Sequence, residues 1–478
     1  MPKPFFITTP IYYANAKPHI GHAYTTVAAD VLARSKKLQG KEVFFSTGTD
    51  DHGLKIQRNA GKYGKNPQEF TDEMAAHFQD LWEKLNIGYT KFIRTTDAKH
   101  KTVVQKVLQT LYDSGVIYKG FYEGLYCVGC EQFKTKDELV DGKCSDHNLV
   151  PEWIREDAYL MKMTALQKWL TEKIESDAFY IVPKKYKVEA LSFLNSETLQ
   201  DISISRKNVS WGVPLPFDSA HTTYVWVDAF LNYLTVLGWS GNKNAIPQEW
   251  PADVQFIGKD ILRVHSTIWP ILLMHLGIST PKLLFTHGHI ISGGKKMSKT
   301  LGNTITIDET FTKFGADGTR YLLMSAGIFG EDVDLTMERM IEKYNSDLAN
   351  GLGNLVSRVL KLAEKLTTSN APILPSDKQP VADQMRESFV GLLDDCKFSE
   401  ALEYIWNIIR TDDKYIDDNK PWALAKNNPK KFEQVMKKLL VDLAIIAELL
   451  VPFLPGTSGK IKDAIKSGKT EPLFQRIK

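Results

Sequence analysis

From Pro4 to Tyr13 the chain is an aromatic and β-branched run without a polar face, the pattern of a strand buried on both sides. Asn15 to Pro18 are turn residues, and Pro18 suits a first helical position. From Ile20 the apolar positions Ala23, Val27, Val31 and Leu32 recur at helical spacing until Gly40 ends the run. A second strand from Val43 ends in Asp50 and Asp51, and helical patterns follow over Pro67 to Leu85 and Lys99 to Ser114. This alternation predicts a parallel sheet with helical crossovers.

The rhythm breaks from about Val116 to His221, a stretch of short pieces punctuated by Pro183, Pro214 and Pro216, which reads as an insertion. The sheet is expected to resume over Thr222 to Tyr233. Val254 to Gly258, a helix through Ile261, His265, Trp269 and Leu273, and a strand-like run from Leu283 to Ser292 come next. From about Asp332 to the end no strand is expected. There Leu348, Leu352, Leu355, Val359 and Leu362 keep core-facing spacing, while Asn354 and Arg358 share another face one turn apart.

With 478 residues and 43% hydrophobic content, several real cores are expected. A net charge of +3 does not by itself announce a nucleic-acid partner, so any such contact must rest on local patches. The most apolar stretch, Val435 to Leu454, is broken by Lys437, Lys438, Asp442, Glu448 and Pro452, which argues against a membrane span. The first residues lead straight into a strand, leaving no signal or transit peptide; a cytoplasmic protein is the expectation.

Three of the four cysteines cluster. Cys127-x2-Cys130, thirteen residues, then Cys144-x2-His147 gives four soft ligands on two tight turns, the spacing of tetrahedral zinc. A site closed by four protein ligands holds structure together and does not catalyse. Cys396 is expected to be a buried small hydrophobe.

The candidate chemistry begins at His19-Ile20-Gly21-His22, just after the first strand and its turn. Free amides and the helix dipole there favour an anion, and two imidazoles three residues apart point the same way; the same residues also suit ordinary capping. Far downstream, Gly293-Gly294-Lys295-Lys296-Met297-Ser298-Lys299-Thr300 is a glycine-rich basic loop, solvated if alone but suited to clamping a polyphosphate. Asp50 or Asp51 can meet an amine or a ribose at a strand's carboxyl end, or form a capped polar turn. Two decoys carry nothing: Gly468-Lys469-Thr470 lacks the first glycine of a phosphate loop, and Gly351-x-Gly353 lies within a helical pattern.

Together, the His-Ile-Gly-His and Lys-Met-Ser-Lys segments resemble the paired signatures of class I aminoacyl-tRNA synthetases, with Thr300 where the family usually has serine. Tyr13-Ala14-Asn15, Trp226-Val227-Asp228-Ala229, Gly258-Lys259-Asp260-Ile261 and a single zinc knuckle narrow the resemblance to methionyl-tRNA synthetases. The fold this implies is α/β, a Rossmann-type parallel sheet split by a zinc-containing insertion and followed by an all-α helical bundle. Its segments would be residues 1–115 and 222–331 for the catalytic halves, 116–221 for the insertion, and 332–478 for the anticodon-binding domain.

The resemblance also implies roles. His19, Gly21, His22, Lys296, Ser298 and Lys299 would hold ATP, with His19, His22, Lys296 and Lys299 stabilising charge during adenylate formation. Ile11, Tyr13, Trp226, Ala229, Tyr233, Ile261 and His265 would form the methionine pocket, with Asp50 on the ammonium. Position 230 is Phe, so that wall differs among family members. Asn354, Arg358 and Trp422 would read the anticodon of tRNA(Met). The cofactors would be Mg²⁺ with ATP and one structural Zn²⁺ held by Cys127, Cys130, Cys144 and His147. Without an appended oligonucleotide-binding domain a monomer is expected. The alternatives are another class I synthetase, a small adenylyltransferase or an inert tRNA-binding relative.

Overall fold

The computed structural model describes residues 3–129, 132–134, 139–145, 148–207, 209–297, 304–366, 380–469 and 471–478. The chain forms two compact units, one of Met1–Pro18, Lys41–Leu81 and Tyr89–His287, the other of His19–Gly40, Trp82–Gly88 and Gly288–Lys478.

The first unit is built on a six-stranded sheet. Strands β1 (Phe5–Tyr13), β2 (Val43–Asp50) and β3 (Lys91–Arg94) lie in the order β3-β2-β1, and Val254–Gly258, Leu283–His287 and Tyr180–Val182 continue from β1 to the far edge. Every neighbouring pair is parallel. The chain therefore starts at the centre, builds outward on one side and returns to the other side of β1. Between β1 and Val254–Gly258 the order reverses, and beyond the carboxyl ends at such a reversal open α/β sheets bind their ligands.

Local sequence explains how β1 fits a central place. Its register against β2 shifts between Thr8 and Ile11, and Pro10, which has no N–H to give to a ladder, lies in that irregularity. Glycine sets the next contact: a Cβ on Gly48 would stand 2.0 Å from the Ile93 carbonyl oxygen, so β2 and β3 approach only with glycine there.

The stretch read as an insertion contributes Tyr180–Val182 to the sheet edge, and much of the rest is a separate antiparallel sheet. Its main ribbon pairs Ile117–Cys127 with Glu152–Met161, from Ile117 opposite Met161 to Tyr126 opposite Glu152. The run Thr222 to Tyr233 corrects the sequence reading. Only Thr222–Thr223 is strand, paired with Ser205–Arg206, and Val225–Phe230 and Asn232–Thr235 are short helices. The run is buried on every face, and there apolar content cannot tell strand from helix.

The second unit holds helix α1 (Ile20–Leu38) and the mostly helical part of the chain. Wholly buried Arg320 ties it together: Nε donates to the Phe453 carbonyl at 2.7 Å, Nη1 to that of Leu85 at 3.1 Å and Nη2 to that of Pro452 at 2.8 Å. Asp30 of α1 neutralises the same guanidinium at 2.7 Å. A buried cation this completely paired holds because losing any partner leaves a charge uncompensated.

Two details of this unit depart from expectation. Val333–Asp334 is a short strand, parallel to Ile290–Ser292, where none was foreseen; two residues are too few to leave a periodic trace. Tyr344–Gly353 winds as a π-helix between the α-helices Met337–Lys343 and Asn354–Ala363, with the poor helix formers Gly351 and Gly353 at its end. Leu348, Leu352, Leu355 and Val359 are buried as their spacing foretold, whereas Leu362 is only partly covered. Cys396 is buried, with its thiol pushed up by burial, as a small hydrophobe should be. Among the described residues, no helix is long and apolar enough to cross a membrane.

Candidate active site

At the carboxyl edge of the first unit's sheet, Tyr13 ends β1, and Asp50 ends β2 directly opposite it. Ile261 and His265 follow Val254–Gly258, and the short helices carry Trp226, Ala229 and Tyr233. The Tyr13 and Trp226 rings meet edge to face at 6.1 Å, and Trp226 meets His265 in the same manner at 6.3 Å. Phe230 adds a closer edge-to-face contact with His265, at 4.9 Å. Ile11 and Ile261 are partly buried against this same core, and Ala229 and Asp50 are buried. The structure thus brings the expected pocket residues to one edge of one unit.

His265 is the polar centre of these rings. Its Nδ1 lies 3.0 Å from the Ile261 carbonyl, and its Nε2 lies 2.9 Å from the Tyr233 hydroxyl. A carbonyl only accepts, so Nδ1 carries the proton and Nε2 accepts from Tyr233. Burial lowers the His265 pKa to about 4, and burial also raises that of Tyr233. Both groups are neutral near pH 7, so the wall offers aromatic surface and hydrogen bonds without net charge. The Trp226 indole N–H is buried with no hydrogen-bond partner among the described residues.

Several groups beside these escaped the sequence reading. Asp228, between Trp226 and Ala229, accepts from His52 Nδ1 at 2.6 Å and from His100 Nε2 at 2.9 Å, and Thr235 Oγ1 lies 2.7 Å from His100 Nδ1. Asp51, which the sequence reading had offered beside Asp50 for an amine or a ribose, takes Arg94 Nε and the Thr96 hydroxyl, each at 2.7 Å, while burial raises its pKa. Arg206 is buried 3.6 Å from Glu156, with its guanidinium 4.5 and 4.9 Å from the ring centres of Tyr126 and Tyr224. These partners are distant in sequence, and no spacing rule joins them. A polar residue inside an apolar run, such as Asp228 in Val225-Trp226-Val227-Asp228-Ala229, was the one available signal.

In the second unit, α1 opens on a reciprocal cap. His19 is the N-cap; its Nδ1 accepts from the Gly21 amide at 3.1 Å, and His22 Nδ1 accepts from the His19 amide at 3.2 Å. The rings stack with centres 3.6 Å apart. Pro18 therefore precedes the cap and is not the first helical residue; the histidine pair satisfies the His19 and Gly21 amides instead. Since Nδ1 accepts in both rings, each neutral imidazole carries its proton on Nε2, which makes that atom a donor. Burial and the neighbouring His19 hold His22 well below the ordinary histidine range. No acidic side chain stands in the first turn, so the helix dipole is left to attract an anion.

The basic loop is a hairpin of the same unit, Ile290–Ser292 with Lys295–Lys296. Gly293 and Gly294 both take the left-handed conformation its tight turn requires (φ 62° and 73°), and both amides donate to the Asp334 carboxylate, at 2.8 and 3.2 Å. Lys296 lies on this hairpin, while Ser298, Lys299 and Thr300 lie outside the described residues. On the helical side, Asn354 begins an α-helix and is exposed, and Trp422 is 45% exposed on Pro421–Asn427. Arg358 is not a bare cation: it pairs with Asp413 at 2.9 Å and Asp417 at 2.6 Å.

Of the expected zinc ligands, Cys127 ends the long insertion strand and Cys144 ends a small hairpin, Leu139–Val140 with Lys143–Cys144. Both are buried sulfur side chains, a donor type that fits a structural zinc; Cys130 and His147 lie outside the described residues. Among the described residues no group of three or more histidine, cysteine, aspartate or glutamate side chains is arranged to hold a metal ion.

Comparison with known proteins places this geometry in a family. The model described as tRNA synthetases class I (M) matches residues 5–149 and 134–360. The methionine–tRNA ligase of Clostridium acetobutylicum is 45% identical over 470 residues, which cover 96% of this chain and 73% of that protein. The Mycobacterium tuberculosis methionyl-tRNA synthetase in complex with methionyl-adenylate aligns with a TM-score of 0.89 at 35% identity, over 97% of this chain and 94% of that one. The free form of that enzyme aligns with a TM-score of 0.80 at 33% identity, over 96% and 91%. Sequence matched across most of its length and fold across nearly all of it lead to one conclusion: the chain belongs to the class I methionyl-tRNA synthetases.

Proposed function

We propose that this chain is a methionine–tRNA ligase that activates L-methionine with ATP and transfers it to tRNA(Met). The observation that carries the substrate is the uncharged wall of Tyr13, Trp226, Phe230, Tyr233 and His265, since a thioether packs well on aromatic edges and carries no charge to be matched. Asp50, at the end of β2, takes the substrate ammonium.

The first step is an in-line displacement. A methionine carboxylate oxygen bonds to the α-phosphorus of ATP, and the bond to the bridging oxygen breaks, releasing pyrophosphate. His19 and His22 donate from Nε2 to phosphate oxygens, and Lys296 and Lys299 follow the charge onto the leaving pyrophosphate. Mg²⁺, brought with ATP, supplies charge neutralisation. In the second step a ribose hydroxyl of the tRNA 3′-terminal adenosine attacks the acyl carbon, and AMP leaves. Asn354, Arg358 and Trp422 read the anticodon by hydrogen bonding and stacking.

In this reading Cys127, Cys130, Cys144 and His147 would hold a structural Zn²⁺, which would cross-link their segments, and the protein works in the cytoplasm as a monomer. The segments 1–115, 116–221, 222–331 and 332–478 are the corresponding functional divisions. Methionine-dependent ATP–pyrophosphate exchange, with leucine and cysteine as controls, tests the function. Exchange with methionine alone is expected; exchange with another amino acid would overturn the pocket, and none at all would overturn the enzyme.

A further inference from the structure

We infer that Asp228, through His52 and His100, is a positioning residue that sets the distance between the substrate's ammonium site and its side-chain wall. The inference rests on the methionine reading above and assigns work to three residues that touch no substrate in it.

The physical case starts from the helix Val225–Phe230. Six residues are far too few for a helix to stand on its own, so its place is set by tertiary anchors. Its polar anchor is Asp228, whose carboxylate is 1% exposed and faces His52 with one oxygen and His100 with the other. A carboxylate accepts only, so each facing ring nitrogen carries a proton and both tautomers are dictated by one acceptor. Thr235 closes the far side of His100 at 2.7 Å. The four groups therefore orient one another.

The segments they join explain the consequence. His52 lies two residues beyond Asp50, the proposed ammonium ligand, and both are buried. Trp226 and Ala229, proposed wall residues, flank Asp228 on the short helix. His100 comes from a long helix, Ala98–Asp113, and supplies a rigid third point. One carboxylate thus ties the ammonium end of the site to the side-chain end through its 2.6 Å hydrogen bond with His52, and anchors that junction to the long helix through His100 at 2.9 Å. A plain apolar contact would have held the helix to the core more cheaply, since burying a charge costs solvation. What the charge adds is direction: apolar surfaces slide, whereas a carboxylate between two imidazole N–H groups has one arrangement.

The experiment compares amino acids of different length. Wild type, Asp228→Asn, His100→Phe and His100→Gln are assayed by pyrophosphate exchange with methionine and with S-methylcysteine, one methylene shorter, and each fold is checked by circular dichroism. If Asp228 sets the spacing, kcat/KM for methionine falls about 10- to 100-fold in Asp228→Asn, the scale of a small misplacement of bound substrate. The preference for methionine over S-methylcysteine narrows, and KM for ATP is unchanged. His100→Gln, which keeps an N–H donor, retains more of that preference than His100→Phe. A preference equal to wild type in every folded variant would overturn the inference, whether the rates fall together or not at all. Should Asp228→Asn not fold, the His100 pair decides alone. Failure of the proposed function would look different, as absent methionine exchange in the wild type.

Discussion

The proposed methionine pocket of the first unit and the proposed anticodon face of the second solve recognition in opposite ways. In the pocket, His265 and Tyr233 satisfy each other, Asp228 is held by two histidines, and the rings already meet edge to face. On the helical face, Trp422 is nearly half exposed, Asn354 faces solvent, and Arg358 spends its guanidinium on Asp413 and Asp417. A small ligand has few atoms with which to offset the ordering of its site, so a pocket for it gains by being built in advance. An RNA loop brings several bases and phosphates, and its site can remain wet and engaged in exchangeable ion pairs until the partner arrives.

That contrast can be broken by mutation. The largest effect belongs to neither region but to the chemistry both serve: His22→Ala should lower methionine-dependent pyrophosphate exchange by about 10²- to 10³-fold, the usual loss for a donor to developing charge. Lys299→Ala should do the same with an unchanged thermal midpoint, whereas His22→Ala also loses its half of the α1 cap and should melt a few degrees lower while remaining folded. Normal exchange in either would remove that residue from the mechanism. Next come Trp422→Ala and Arg358→Ala, which should each cost about 1–3 kcal/mol in tRNA charging, the worth of a stacked base or a base-edge contact, with pyrophosphate exchange unaffected. Equal losses in both assays would erase the distinction between the two regions.

Smaller effects probe the preformed pocket. Tyr233→Phe removes the donor to His265 Nε2 and loosens that ring, so KM for methionine should rise by an amount equivalent to about 0.5–1.5 kcal/mol, the net worth of one hydrogen bond. A KM equal to wild type would show that the pair does not support the pocket. The gentlest test is pH. Folding lowers the His265 pKa from the ordinary 6.5 to about 4, so between these values the unfolded chain binds more protons than the folded one. The stability from this group is whole above pH 6.5 and is lost as pH falls toward 4, at no more than about 1.4 kcal/mol per unit. Replacing His265 by Gln should flatten that slope in denaturant titrations; an identical slope would assign the acid sensitivity elsewhere.

The parts of the molecule that were legible in the sequence are those whose signal is local. β1 and α1 follow from a run of apolar residues, a turn and a helical period, and the core of the C-terminal helices from leucines spaced to one face. The pocket residues were reached through their resemblance to a family, and the structure gathers them at one sheet edge. What was not legible depends on partners far away in sequence. Thr222 to Tyr233 reads as strand because β-branched and aromatic residues crowd it, yet tertiary burial on all sides makes most of it helix. Asp228, His52 and His100 are separated by more than a hundred residues on one side and nearly fifty on the other, and only the fold makes them a unit. The carboxylates on Arg358 were invisible for the same reason.

The measurement that bears most directly on the division of labour is exchange and charging assayed on one preparation of each of two variants, Trp226→Ala from the pocket and Trp422→Ala from the helical face. The pocket variant is expected to lose methionine-dependent exchange and, with it, charging of tRNA(Met). The helical variant is expected to keep exchange at the wild-type rate while charging falls. Exchange lost in the helical variant, or charging retained in a pocket variant that no longer activates methionine, would contradict the assignment of amino-acid recognition to one region and tRNA recognition to the other.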